Sequence, residues 1–229
     1  MKLAIRSRPD GHSRDIPVAL RITEIFYSLQ GEASRVGLPT VFVRLTGCPL
    51  RCVWCDTEYS FTGGAPASVA SVLAEVARYP ARQVCVTGGE PLAQKECLPL
   101  LVALCDAGYD VSLETSGALD ISGVDPRVAR IMDLKAPDSG EAAKNRWENL
   151  GFLNVRDEIK IIIASRADYE WAREVLRERQ LEVCCPVLFS PAQGSLDAVA
   201  LAGWILEDGL NVRFQLQLHK LLWGNMKGK

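Results

Sequence analysis

What most constrains this 229-residue chain is its alternation of short β-branched runs with helical patterns. Glu158–Ala164 (EIKIIIA) reads most plainly as a strand. The runs at Thr40–Thr46, Gln83–Thr87, Asp110–Glu114, Arg130–Leu134, Val183–Phe189 and Asn211–Leu218 read the same way. Between them, helices are expected over Ser68–Arg78, with Ser68 as N-cap, over Leu98–Ala107, closed by Gly108, and over Asp168–Arg179 and Ser195–Glu207. Strand–helix alternation builds right-handed βαβ units on a parallel sheet. About seven strands in about 210 residues predict an α/β fold, a partial, open parallel β/α barrel smaller than the complete eightfold one. Residues 1–19 interleave Arg, Ser, Pro, Asp and Gly and predict a polar N-terminal arm. Residues 20–229 predict one domain, without internal repeat or linker.

Composition narrows the function. With 48% hydrophobic and 24% charged residues the chain can bury a sizeable core. A formal net charge of −2 offers no basic excess for nucleic acid, so a small-molecule substrate is expected. No apolar run approaches the roughly 20 residues that cross a bilayer, and no secretory apolar stretch follows the N-terminus. The expectation is a cytoplasmic protein with no membrane partner. Its eight cysteines are then kept reduced. Cys85, in a strand pattern, and Cys105, on an apolar helical face, read as small buried apolar residues.

Three cysteines cluster. Cys48, Cys52 and Cys55 follow a strand in the run Thr46-Gly-Cys-Pro-Leu-Arg-Cys-Val-Trp-Cys-Asp-Thr57, with C-x3-C-x2-C spacing. One loop can thereby wrap a compact core with three thiolates. A cubane wants four ligands, so three leave one iron open for substrate or cofactor. The alternative is zinc completed by a distant Cys or His, the chain having only His12 and His219. Downstream, Thr87-Gly-Gly-Glu-Pro91 exposes backbone at a strand's carboxyl end. Glu114-Thr-Ser-Gly117 and Asp133-Leu-Lys135 end later strands, where barrel active sites collect. Asp133 and Lys135 could equally be a local ion pair.

Two further segments carry polar groups in an apolar frame. Ser28-Leu-Gln-Gly-Glu32 precedes the strand Thr40–Thr46, in which Phe42, Arg44 and Thr46 share a face. An Arg among apolar neighbours demands an anion, and its planar fork suits a carboxylate. A salt bridge to Glu24 or Glu32 would satisfy it as well. In the last expected strand Arg213, Gln215, Gln217 and His219 share a face. That face is either an exposed edge or a pocket wall.

The cysteine spacing resembles the radical SAM superfamily. There the open iron chelates S-adenosylmethionine (SAM), and one electron releases a 5′-deoxyadenosyl radical. Trp54, just before the third cysteine, stands where that superfamily often has an aromatic. With LQGE, the Arg-bearing strand, CDT, TGGEP, ETSG, DLK, NRWENL (residues 145–150) and QLHK (residues 217–220), the chain resembles the 7-carboxy-7-deazaguanine synthase family. That resemblance implies conversion of 6-carboxy-5,6,7,8-tetrahydropterin to 7-carboxy-7-deazaguanine by radical ring contraction with loss of ammonia. It implies a [4Fe–4S] cluster on Cys48, Cys52 and Cys55, SAM, Mg²⁺ on Thr57, a homodimer and a flavodoxin-like or ferredoxin-like reductant. It assigns SAM to Trp54, Cys55, Asp56, Gly89, Glu114, Asp133, Leu134 and Lys135. It assigns substrate to Leu29, Gln30, Gly31, Glu32, Arg44, Thr87, Gln217 and His219. The tail Trp223–Lys229, running on after QLHK, departs from relatives that bind substrate through a terminal carboxylate. A glycyl-radical-enzyme activating enzyme shares the triad and GGE but would lack LQGE and QLHK. A metal-stabilised binding module would lack a use for TGGEP.

Overall fold

The structure, a computed structural model, describes residues 20–224 and 226–229. The arm expected over residues 1–19 lies outside the described residues.

Nine strands form one sheet in the order β3-β1-β2-β4-β5-β6-β7-β8-β9. They are β1 (Leu20–Leu29), β2 (Pro39–Leu45), β3 (Ala65–Ala67), β4 (Gln83–Gly88), β5 (Asp110–Thr115), β6 (Ala129–Leu134), β7 (Glu158–Ile163), β8 (Val187–Pro191) and β9 (Arg213–Phe214). From β2 to β9 every neighbour is parallel; β1 pairs antiparallel with β2 and with β3. Among the described residues β3 and β9 are the two ends of the sheet and do not pair with each other, which leaves an open barrel, as expected. The helices are α1 (Val69–Val76), α2 (Cys97–Asp106), α3 (Arg166–Arg179), α4 (Leu181–Cys184), α5 (Ala198–Glu207) and α6 (Leu218–Trp223).

Local chemistry sets the helix starts. Ser68 Oγ accepts from Ser71 N at 3.1 Å, Ser165 Oγ from Asp168 N at 3.2 Å, and the Asp197 carboxylate from Val199 N. Strand alternation sorts the two sheet faces. Val41, Val43, Leu45, Val84, Val86, Val111, Leu113, Met132, Leu134, Ile159, Ile161 and Ile163 point outward and pack with Val72, Leu100, Leu104, Tyr169 and Leu201 of the helices. Each such aliphatic side chain contributes about 1.5–3 kcal/mol by leaving water. Their neighbours Phe42, Arg44, Thr87, Glu114, Asp133 and Lys160 therefore face the barrel's interior.

Three expectations need correction. β1 and β3 were not anticipated: Arg21, Thr23 and Glu24 interrupt the apolar run of the first, and the second is only Ala65–Ala67, with Pro66 inside it. The strand expected over Val183–Phe189 begins only at Val187; Leu181–Cys184 is a helical turn, and Pro186 sits before the ladder, where its missing N–H costs nothing. The strand expected over Asn211–Leu218 pairs with β8 only at Arg213 and Phe214, and Leu218–Trp223 is helical.

Candidate active site

The carboxyl ends of β2 and β4–β7, with the loops beyond them, enclose a cavity of ≈ 680 Å³. That is ample for a small organic ligand. Its lining includes Cys48, Cys52 and Cys55 together with Gln30, Glu32 and Arg44.

The cysteine loop is pinned from below. Gly47 has φ +99°, a backbone conformation open to glycine, and its N–H donates to Ser60 O at 2.8 Å while its carbonyl accepts Glu90 N at 2.8 Å. A Cβ on Gly89 would stand 2.3 Å from Gly47 O and 2.7 Å from Cys48 Cβ, so only glycine lets the TGGEP turn approach this closely. Glu90 itself is buried away from the cavity: it accepts Ser116 N at 2.7 Å, Ser116 Oγ, Thr115 Oγ1 and Leu92 N. It braces the TGGEP turn against the ETSG turn. The NRWENL segment braces in the same way. The Asn145 side chain bonds both Lys135 N and Lys135 O at 2.9 Å, and Asn149 Nδ2 reaches Gly117 O and Leu119 O.

Around the thiols, Leu50 N donates to Cys48 Sγ at 3.4 Å, and Thr57 Oγ1 lies 3.8 Å from Cys55 Sγ. Burial pushes the Cys48 and Cys52 thiols up, opposed for Cys48 by the Leu50 N–H and for both by Lys135. Trp54 and Asp56 line the cavity beside them, and Asp56 pairs with Lys220 of α6 at 2.9 Å.

Elsewhere in the lining, Gln30 Nε2 donates to Glu114 Oε1 at 3.3 Å, and Thr87 Oγ1 to Glu114 Oε2 at 2.8 Å. Gly31 lies under His219, whose Nδ1 would be 2.1 Å from a Cβ there, and Gly31 O accepts Leu218 N at 3.0 Å. Glu32 accepts from Gln217 Nε2 and pairs with Lys160. Burial pushes the Glu32 carboxyl up, but the Lys160 ammonium outweighs it and draws the group down to about 2. Arg44 forms the salt bridge expected with Glu24. Its Nε bonds Glu24 Oε1 at 2.7 Å, yet the residue lines the cavity. Tyr59 Oη donates to the same Glu24 oxygen at 2.7 Å. Asp133 and Lys135 do form the local pair, at 3.0 Å, and both line the cavity.

Every site residue expected from sequence lines the cavity except Leu134. Leu134 is buried in the core between sheet and helices, because alternation turns it opposite to Asp133 and Lys135. Sequence reasoning missed Lys160, Tyr59, Ser116 and residues 226–229, all in the lining. A lysine amid EIKIIIA was a legible signal for the first.

Comparison with known proteins decides what this cavity belongs to. Residues 42–184 match the radical SAM superfamily. The chain is 48% identical over 219 residues to the 7-carboxy-7-deazaguanine synthase of Koribacter versatilis, covering 89% of this chain and 97% of that one. It is 46% identical to the enzyme of that name from Chlorobaculum tepidum, over 89% and 94% of the two chains. The chain belongs to the 7-carboxy-7-deazaguanine synthase family. The crystal structure of QueE from Escherichia coli superposes with a TM-score of 0.73 at 27% identity, over 88% of this chain and 95% of that one. With this membership the activating-enzyme and binding-module readings fall.

Radical SAM membership implies a [4Fe–4S] cluster and SAM, and the residues fit both. Three half-buried thiols open on the cavity. Asp133 Oδ1 is buried without a hydrogen-bond partner, an acceptor left over for a ligand's donor. Among the described residues no helix is long and apolar enough to cross a membrane.

Proposed function

We propose that this protein converts 6-carboxy-5,6,7,8-tetrahydropterin to 7-carboxy-7-deazaguanine with release of ammonia. The observation that carries the reading is one cavity lined both by Cys48, Cys52 and Cys55 and by Arg44, Gln30, Glu32 and Thr87. Cys48, Cys52 and Cys55 would hold the cluster, which together with SAM would supply the radical chemistry at a substrate C–H. The chain's own residues orient and shield. The Arg44 Nη edge, left free when Nε pairs with Glu24, meets the substrate carboxylate. The Gln30 amide and the Glu32 carboxylate offer donors and acceptors to the pterin edge, and the Glu114 carboxylate, which accepts from Gln30 and Thr87, faces SAM. Gly31 lets His219 close over the ring, and Gln217 completes that wall. Leu29 and Thr87 fill the sides. Trp54, Asp56, Gly89, Asp133 and Lys135 seat SAM, the free Oδ1 of Asp133 accepting one of its donors. Thr57 would hold Mg²⁺, an ion that takes few protein ligands and keeps water or substrate oxygens. A homodimer and a flavodoxin-like or ferredoxin-like reductant complete the assignment by family likeness.

The test is anaerobic reconstitution with iron and sulfide, then SAM, reductant, Mg²⁺ and 6-carboxytetrahydropterin, with mass analysis of products. Formation of 7-carboxy-7-deazaguanine and ammonia is expected. SAM cleavage without any change in the pterin refutes the substrate.

A further inference from the structure

Lys160 is buried in the cavity and has no place in the assignments above. Projecting inward from β7, its ammonium bonds Glu32 from the loop after β1 and lies 3.6 Å from Asp133 Oδ2 on β6. Glu32 accepts Gln217 on its other oxygen, and Asp133 holds Lys135 at 3.0 Å. An unbroken chain Gln217–Glu32–Lys160–Asp133–Lys135 thus links the segment after β9 to β7 and to the carboxyl end of β6. Glu114 on β5 faces the same ammonium, and His219 faces Glu32. Three carboxylates around one ammonium repel one another and are held together by it. Of the two lysines here, Lys160 alone touches both halves of the chain.

We propose that Lys160 is a positioning residue: bonded to Glu32 and 3.6 Å from Asp133, it fixes these two carboxylates relative to each other, so that the substrate seat and the SAM seat keep one geometry. The naming of the seats rests on the pterin reading; the charge chain does not. Take the lysine away, and burial is the largest influence left on Glu32, whose carboxyl then rises and becomes a hydrogen-bond donor where the site needs an acceptor.

The reconstituted enzyme tests this with Lys160→Met, Lys160→Gln and Lys160→Arg. Lys160→Gln keeps a donor toward Glu32 without charge and serves where Lys160→Met does not fold. Both neutral variants should load iron as wild type does. Their kcat/KM should fall about tenfold per pH unit on the acid side of a new ionisation, a limb absent from wild type and from Lys160→Arg. Difference infrared spectra of the neutral variants should show a protonated carboxyl titrating with the same midpoint. That band should vanish in Glu32→Gln/Lys160→Met. The infrared titration needs no turnover, so it decides the role of Lys160 even if the pterin proves the wrong substrate. Folded neutral variants with no carboxyl band, or equal losses in Lys160→Arg and the neutral variants, overturn the proposal.

Discussion

Arg44 separates a binding role from a structural one by magnitude. Its Nε is engaged with Glu24 at 2.7 Å, and its guanidinium lies 5.6 Å from the Phe26 ring centre and 5.9 Å from that of Tyr59. The two aromatic faces set its plane, and the Nη edge remains for a carboxylate. Arg44→Lys keeps a charge that can serve Glu24 or the substrate, but not both in a fork. Hydrogen bonds to charged groups are worth about 1.5–3 kcal/mol, so losing one weakens substrate binding roughly 10- to 100-fold. Arg44→Ala should bind still more weakly. It also strips Glu24 of its ion pair. Breaking a fully buried pair costs about 3–5 kcal/mol. Glu24 is 22% exposed and keeps the Tyr59 hydroxyl, so about 1–3 kcal/mol is expected here. For a domain of this size that lowers the melting temperature by about 2–12 °C. Anaerobic calorimetric titration of 6-carboxytetrahydropterin beside thermal melts reads both quantities, while iron content and substrate-free SAM cleavage stay at wild-type levels. A large melting shift with undiminished substrate affinity would refute the binding role and leave Arg44 as a strut for Glu24.

Alanine at Cys48, Cys52 or Cys55 should abolish the cluster's visible absorbance and turnover. Alanine at Cys184, whose thiol donates to Leu153 O, should leave about four irons per chain, as analysed after reconstitution. Thr57→Ala should raise the Mg²⁺ concentration for half-maximal turnover more than the SAM KM; an unchanged Mg²⁺ response would sink that assignment. Gly89→Ala drives a Cβ into the Gly47 carbonyl and should displace the cysteine loop, with cluster loading falling at least as far as SAM affinity; full loading with weak SAM binding alone would contradict the contact.

How much of this was legible follows from which rule each residue obeys. C-x3-C-x2-C, TGGEP and DLK act over a few neighbours, so their spacing survives folding and puts them at strand ends around one cavity. Alternation also carried Arg44 and Thr87 inward, and applied to DLK it would have excluded Leu134, which went wrong only because three consecutive residues were carried over together. Lys160 and Glu90 do their work through partners 128 and 26 residues away, and nothing local announces those pairings.

The end of the chain shows how tertiary bonds override a local pattern. Alternation along Asn211–Leu218 extends the strand to the motif QLHK, yet the register with β8 stops at Phe214, and one last bond follows it, Gln215 N to Phe189 O at 3.0 Å. Side chains replace the missing ladder. Gln215 Oε1 accepts Ala33 N at 2.6 Å, and its Nε2 donates to Ala33 O at 3.0 Å, as a strand's own amide would. Leu218 N then reaches Gly31 O, and α6 begins. The open side of the barrel is thereby stitched to the LQGE loop. Gln217 and His219 still arrive in the cavity, from a helix start and not from a strand face. The one residue that permits this docking is Gly31, whose missing Cβ leaves room for the His219 ring. LQGE and QLHK are therefore two halves of one contact, which is why both are needed to build the substrate end of the site.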